Sequence, residues 1–184
     1  MLLNKNSKII LNELIKQKNS RVYGREIAKR YKMNQKTAAN ILNKLEEEDI
    51  LKYKIEGKNK YYFLNGFNPL IKELVQTIEV EKKADFLKSH KNIAELIRKI
   101  ERKSEGVVVL FGSYAKGTED KESDLDLLVI GKSNSDDLEE DFGKKINIVK
   151  STKEKLDINN PFIQEVLRNH IVLKGVEEFV NLTW

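Results

Sequence analysis

Residues 107–130 read VVVLFGSYAKGTEDKESDLDLLVI. The stretch divides into a strand at Val107–Phe111, a tight turn at Gly112-Ser113, a short helix, a polar loop and a second strand. That second strand opens with Ser123-Asp124-Leu125-Asp126 and runs through Leu127-Leu128-Val129-Ile130. Residues i and i+2 of a strand share a face, so Asp124 and Asp126 direct their carboxylates at one spot. Two like charges there are costly unless something positive lies between them. Mg2+ is the natural candidate, because it is commonly held by one or two carboxylates together with substrate phosphates.

The rest of the chain bounds the answer. Its 184 residues suit one or two domains, and a hydrophobic content of 40% is enough for a core. There is no cysteine, which excludes disulfides and thiolate metal sites. No apolar run approaches the ~20 residues of a membrane span. The opening MLLNKNSKIILNELI is interrupted by Lys, Asn and Glu, unlike a signal peptide. A soluble cytoplasmic protein is expected. Charge is uneven: residues 1–66 hold 15 Lys/Arg against 7 Asp/Glu, whereas 67–184 hold 19 against 22. The basic end is suited to a polyanion, and a solvated Lys-rich face is the alternative.

Within that basic end, residues 6–17 place Ile9, Ile10 and Leu14 on one helical face, with Ser7 as a candidate cap. QKNSRVYG is a polar connection to a second helix at Gly24–Tyr31, and Lys32-Met33 turns the chain. Asn34 can cap a third helix, running to about Glu48 with Ala38, Ile41, Leu42 and Leu45 inward. Its outward face shows Gln35, Lys36, Asn40, Asn43 and Lys44. The period then changes to two. Asp49–Ile55 and Lys60–Leu64 alternate as strands around a turn at Glu56-Gly57-Lys58-Asn59.

Three helices followed by a hairpin resemble a winged helix-turn-helix domain, carried by REIAKRYKMNQKTAANILNKLEEEDILKYKIEGKNKYYFL. The resemblance implies binding to double-stranded DNA. A helix fits the major groove, where Gln35, Lys36, Asn40 and Lys44 could meet base edges. Lys58, with Lys54 and Lys60, could meet phosphates. A protein-interaction winged helix is the alternative.

Residues 67–103 read as a helical connector or dimerisation helix. It starts at Pro69, well placed in a first turn, with a stripe of Leu70, Leu74, Ile78 and, at its margin, Val75 that Phe86, Leu87, Ile93, Leu96, Ile97 and Ile100 continue. A break falls at Ser89-His90, where His90 reads as a surface residue, and polar residues Arg98–Glu105 lead to the first strand. A homodimer is expected, since winged-helix proteins often meet two half-sites through such a helix.

The quoted stretch itself, with Gly112-Ser113 and then Asp124-x-Asp126, is similar to the signature of minimal nucleotidyltransferase domains in the DNA polymerase β-like superfamily. Ala115 and Gly117 belong to the match. The resemblance implies that residues 104–184 form a nucleotidyltransferase-like α/β domain with a small mixed sheet. The whole chain is then α+β: 1–66 winged helix-turn-helix, 67–103 connector, 104–184 nucleotidyltransferase-like. It also implies Asp124 and Asp126 as metal ligands and catalytic residues. Gly112, Ser113 and Lys116 become nucleotide-binding residues, with Mg2+ and a nucleoside triphosphate, ATP foremost, as cofactors. Gly112 lets backbone approach a phosphate without a Cβ in the way, and Ser113 stands at a helix start where anions are favoured.

One position departs from the pattern. Catalytic members carry a third acid on the next strand, and here that strand, Lys145–Val149, offers Asn147. An amide accepts no proton, so turnover is in question, and Asp141 or Asp136-Asp137 in an expected helix at Ser135–Phe142 are the substitutes to consider. Beyond lie a turn at Asn159-Asn160-Pro161, a helix at Phe162–Asn169, a strand at Ile171–Leu173 and a tail at Gly175–Trp184. His170 reads as structural and Trp184 as a packing anchor. The ending NHIVLKGVEEFVNLTW resembles the close of archaeal-type helix-turn-helix–nucleotidyltransferase fusions.

Two functions follow. On the first, the resemblances imply a DNA-binding protein that binds NTP–Mg2+ and is able to transfer a nucleotidyl group to a protein or RNA acceptor. Minimal nucleotidyltransferases of this kind often act as antitoxins that add AMP to a HEPN-type RNase. Alternatively it is a non-catalytic transcriptional regulator that uses the fold for nucleotide sensing or dimerisation.

Overall fold

The computed structural model describes residues 4–16, 20–134 and 138–184. The chain is α+β and divides into two compact units, residues 1–75 and 76–184. Asp136 and Asp137, and residues 17–19 of the expected connection, lie outside the described residues.

The first unit opens with α1 (Lys5–Ile15). Its cap is Asn4 and not Ser7: the Asn4 side chain accepts from Ser7 N at 2.9 Å, and Ser7 is buried one turn inside the helix. The short Asn side chain reaches the free N–H groups of the first turn from outside it. α2 (Gly24–Arg30) and α3 (Gln35–Glu47) follow. Asn34 caps α3 as expected, accepting from Lys36 N at 2.8 Å. Ile10, Leu11, Leu14, Ile27, Ala38, Leu42 and Leu45 form the core, each at most 4% exposed. Fully burying an aliphatic side chain of Leu or Ile size contributes about 1.5–3 kcal/mol.

The hairpin β1 (Leu51–Glu56) and β2 (Asn59–Leu64) pairs Leu51 with Leu64 through Glu56 with Asn59. That register leaves a two-residue turn at Gly57-Lys58, with Gly57 at φ +60, the conformation glycine tolerates best. Val22 exchanges two backbone hydrogen bonds with Tyr62 and so adds a bridge to the hairpin.

α4 (Ile71–Ser89) begins two residues after Pro69. Asn68 caps the turn before it, accepting from Leu70 N at 2.8 Å. Val75 and Ile78 of the expected stripe are buried, and this start buries Ile71 beside them while leaving Leu70 67% exposed.

The second unit is built on a four-stranded mixed sheet in the order β5-β4-β3-β6. β3 (Ser104–Phe111) lies antiparallel to β4 (Leu125–Ser133) and to β6 (Ile171–Lys174), and β4 lies parallel to β5 (Ile146–Ser151). After a 3-10 turn at Lys91–Ile93 comes α5 (Ala94–Lys103). Its apolar stripe of Leu96, Ile97 and Ile100 shares a core with Val108, Leu110, Leu127 and Val129. The residues expected as a polar lead-in therefore belong to a helix, whose charged positions face away from that core. β3 starts at Ser104, earlier than the apolar run, because the buried Ser104 and Ser133 hydroxyls bond at 2.8 Å across β3 and β4.

α6 (Gly112–Lys116) joins β3 towards β4, α7 (Leu138–Phe142) makes the crossover to β5, and α8 (Pro161–Arg168) precedes β6. The expected C-terminal tail is a helix, α9 (Val176–Thr183). Phe179, Val180 and Thr183 recur at helical spacing and are buried, and α9 packs against β3. No described helix is long and apolar enough to cross a membrane.

Candidate functional site

Topology brings the site together. β4 and β5 run parallel, so their starts lie at one edge of the sheet. β3 runs antiparallel to β4, so its end reaches the same edge, with Phe111 opposite Asp126. That edge therefore holds the turn after β3, the residues opening β4 and the residues opening β5.

Asp124 stands just before β4 and Asp126 is its second residue. Both are half-buried. The register of β4 and β5 places Asn147 directly beside Asp126. The Asn147 amide nitrogen donates to Asp126 Oδ1 at 3.0 Å and to Asp124 Oδ2 at 3.2 Å. An amide NH2 has two hydrogens, and here each meets a different carboxylate. The two aspartates do converge on one point, and the residue on the adjacent strand that faces them is the neutral Asn147.

Lys145 joins them, a residue that no sequence motif singles out. Its ammonium lies 3.1 Å from Asp124 Oδ2. The contact follows from the ladder: Leu125 N donates to Lys145 O at 2.9 Å, which fixes this backbone next to the start of β4. Hydrogen bonding from Lys145 holds the Asp124 carboxyl below its ordinary range, against the opposing effect of burial, and Asn147 and Lys144 add to the lowering. The one signal present in the sequence is spacing, since Lys145 stands two residues before Asn147.

Gly112 has a second reason to be glycine. It takes φ +70, and a Cβ on it would lie 2.0 Å from Asp126 Oδ2. The missing side chain is the space in which the Asp126 carboxylate sits. Ser113 is half-buried in the first turn of α6, where its carbonyl accepts from Thr118 N at 3.1 Å. Lys116 is paired with Glu165 of α8 at 2.9 Å. Asp141, weighed as a substitute acid, is paired with Lys99 at 3.9 Å.

The loop before Asp124 is ordered locally. Asp120 Oδ1 accepts from Ser123 Oγ at 2.8 Å and from Glu122 N at 3.0 Å, and these bonds lower the Asp120 carboxyl. His90 is half-buried and not a free surface residue. It stacks on Phe86 at 4.1 Å, and its ring nitrogens contact Phe86 O at 2.9 Å and Glu119 Oε1 at 2.8 Å. It thereby links the end of α4 to the loop carrying Glu119 and lines a cleft of about 520 Å3 with Tyr114, Phe142 and Lys144.

Among the described residues no group of three or more His, Asp or Glu side chains gathers as a metal-ligand set. The donor chemistry of Asp124 and Asp126 nevertheless fits a single Mg2+, which takes oxygen ligands and completes its shell with water and phosphate.

In the first unit, Gln35, Lys36, Asn40 and Lys44 are all exposed on α3, and Lys58 is exposed at the hairpin turn. Lys44 lies 3.9 Å from Glu48, and Lys60 lies 4.2 Å above the Tyr53 ring. Asn43 is engaged within the unit, accepting from Tyr62 Oη at 2.7 Å.

Residues 90–178 match the family model described as "Nucleotidyltransferase domain". A solved structure described as "Crystal structure of the toxin-antitoxin with AMP-PNP" is 22% identical, with a TM-score of 0.37, over 51% of this chain and 79% of that one. No curated protein matches the chain.

Proposed function

We propose that the chain is a DNA-directed regulator whose second unit binds a nucleoside triphosphate with Mg2+, ATP being the expected nucleotide. The observation that carries this is the convergence of Asp124 and Asp126 on one amide beside Gly112. The nucleotidyltransferase-domain match over residues 90–178 supports it. Asp124 and Asp126 would hold the ion, which supplies charge neutralisation on the phosphates. The Ser113 hydroxyl is the nearest side-chain donor following Gly112. Lys116 would reach a phosphate only by leaving Glu165.

Calorimetry with ATP and Mg2+ tests the site. Heat with the wild type that disappears in Asp124→Ala/Asp126→Ala is the expected result, and equal heat in both sinks the assignment.

Nucleotidyl transfer to a hydroxyl of a protein, such as a HEPN-type toxin, or of RNA is the antitoxin-like activity that such a site serves. Asn147 bears on it directly. General-base help is worth about 10²–10⁴ in rate, and an amide supplies none. That residue favours the second reading, a non-catalytic regulator that senses nucleotide or dimerises through this fold. Incubation with labelled ATP and a cell lysate separates the two, with Asp126→Ala as control. Label transfer lost in the variant supports the enzyme, and no transfer supports the sensor.

The first unit is assigned as a winged helix-turn-helix that binds duplex DNA. The exposed polar face of α3, Lys58 at the turn and the basic balance of residues 1–66 support this. A gel shift should weaken with salt by about 0.9 in log–log slope per neutralised phosphate. Lys36→Ala/Lys44→Ala binding as tightly as wild type would refute it.

A further inference from the structure

We infer that the Lys145 ammonium, supported by the Asn147 amide, acts as a resident counter-cation for Asp124 and Asp126, so that a divalent ion enters this site in exchange for it. The inference rests on the nucleotide–metal reading of the site and deepens it.

Three contacts carry it. The Lys145 ammonium stands 3.1 Å from Asp124 Oδ2, and the Asn147 amide nitrogen stands 3.2 Å from that same oxygen and 3.0 Å from Asp126 Oδ1. Together they place one full positive charge and two partially positive hydrogens on the oxygens a metal would need. Paired carboxylates that would otherwise repel are thus compensated by the chain itself. A carboxylate in place of Asn147 could not do this, because it has acceptors only. The departure from the acidic pattern and the presence of Lys145 are therefore one device.

The two residues are not equally held. Asn147 lies within the β5 ladder and is half-buried. Lys145 precedes the strand and its side chain is 65% exposed, so its ammonium can leave without disturbing packing. Once displaced it stays tethered at the same sheet edge. A Lys ammonium is a compact charge well suited to phosphate oxygens, and a triphosphate at the site offers it a new anionic partner. Metal and nucleotide are then coupled: the phosphates draw Lys145 away from Asp124, and the ion takes its place. Such coupling is reciprocal for binding free energies.

The test uses Mn2+ alone, followed by electron paramagnetic resonance, on the whole chain without nucleotide. Lys145→Met should bind Mn2+ about two- to fivefold more tightly than wild type, the range a half-exposed ion pair supports. Lys145→Gln repeats the test with a polar side chain. Lys150→Met removes the same charge beside Val129, further along β5, and should leave affinity at the wild-type value. In a second arm, Lys145→Met at saturating Mn2+ should bind a non-hydrolysable ATP analogue more weakly than wild type. Unchanged or weaker Mn2+ binding by both Lys145 variants overturns the exchange. Equal tightening by Lys150→Met also overturns it, since net charge would then explain the effect. Wild type that binds no Mn2+, with Lys145→Met equally silent, overturns the metal site itself.

Discussion

Replacing Glu79 with Gln should remove about 3 kcal/mol of stability at neutral pH, and the loss should vanish in acid. Glu79 lies in α4 with no exposed surface. Lys82, one turn on, contacts its two oxygens at 3.0 and 2.9 Å, and His170 Nε2 contacts Oε2 at 3.2 Å. The other His170 ring nitrogen faces Leu167 O at 2.8 Å. Burial by itself pushes the carboxyl up, but His170 and then Lys82 outweigh it and bring it from 4.5 down to about 2. Lowering a pKa by one corresponds to about 1.4 kcal/mol in favour of the charged form, which leads to the figure of about 3. Breaking a buried pair typically costs about 3–5 kcal/mol, and Lys82 is 21% exposed, which places this one at the low end.

The sign follows from the direction in which the carboxyl moves. A carboxyl depressed in the folded state contributes fully above its unfolded value of 4.5 and loses that contribution as pH falls towards about 2. Urea unfolding is the assay, followed by fluorescence of Trp184, the single tryptophan. The gap between wild type and Glu79→Gln should be about 3 kcal/mol at pH 7 and close progressively below pH 4.5. Carboxylates away from Glu79 titrate alike in both proteins and cancel in the difference, and the His170 contact is controlled by repeating the pair in a His170→Gln background. A gap that stays constant down to about pH 2, or no gap at neutral pH, refutes the reasoning.

Gly112→Ala would put a Cβ 2.0 Å from Asp126 Oδ2 at φ +70; a loss of about 1–3 kcal/mol is expected, read as a lower midpoint in thermal unfolding, with Mg2+–ATP heat lost as well. Asn147→Asp sets a third carboxylate beside Asp124 and Asp126 in place of two hydrogen bonds. Its melting temperature should fall at neutral pH without metal and recover with Mg2+ more than wild type does, and equal Mg2+ shifts in the two proteins would contradict this. Tyr62→Phe removes the 2.7 Å bond to Asn43 and should cost about 1 kcal/mol in urea unfolding.

The individual strands of the second unit and half of the candidate site are legible in the sequence because their signals are local. Asp124 and Asp126 share a face by strand period alone, Asn34 caps α3 through a bond to Lys36 N two residues on, and alternation marks the hairpin. Where a local pattern is weak, the sequence misleads. Ser7 resembles a cap by type, yet Asn4 holds the position. The ending at Gly175–Trp184 reads as a tail, yet Phe179, Val180 and Thr183 stand at helical spacing in α9.

What the sequence determined by itself was the identity of the candidate residues: a glycine turn, a pair of carboxylates two residues apart, and an asparagine on the strand that follows. What only the tertiary structure decided was who meets them. The parallel register of β4 with β5 aligns Asn147 with Asp126 and brings Lys145 to Asp124. The fold likewise closes Glu79 on His170, which is far away along the chain. The physical reason is that strand and helix periods fix where a side chain points relative to its neighbours in sequence. A contact between distant segments depends on which strands pair and in what register, and that is settled only when the core they enclose is packed.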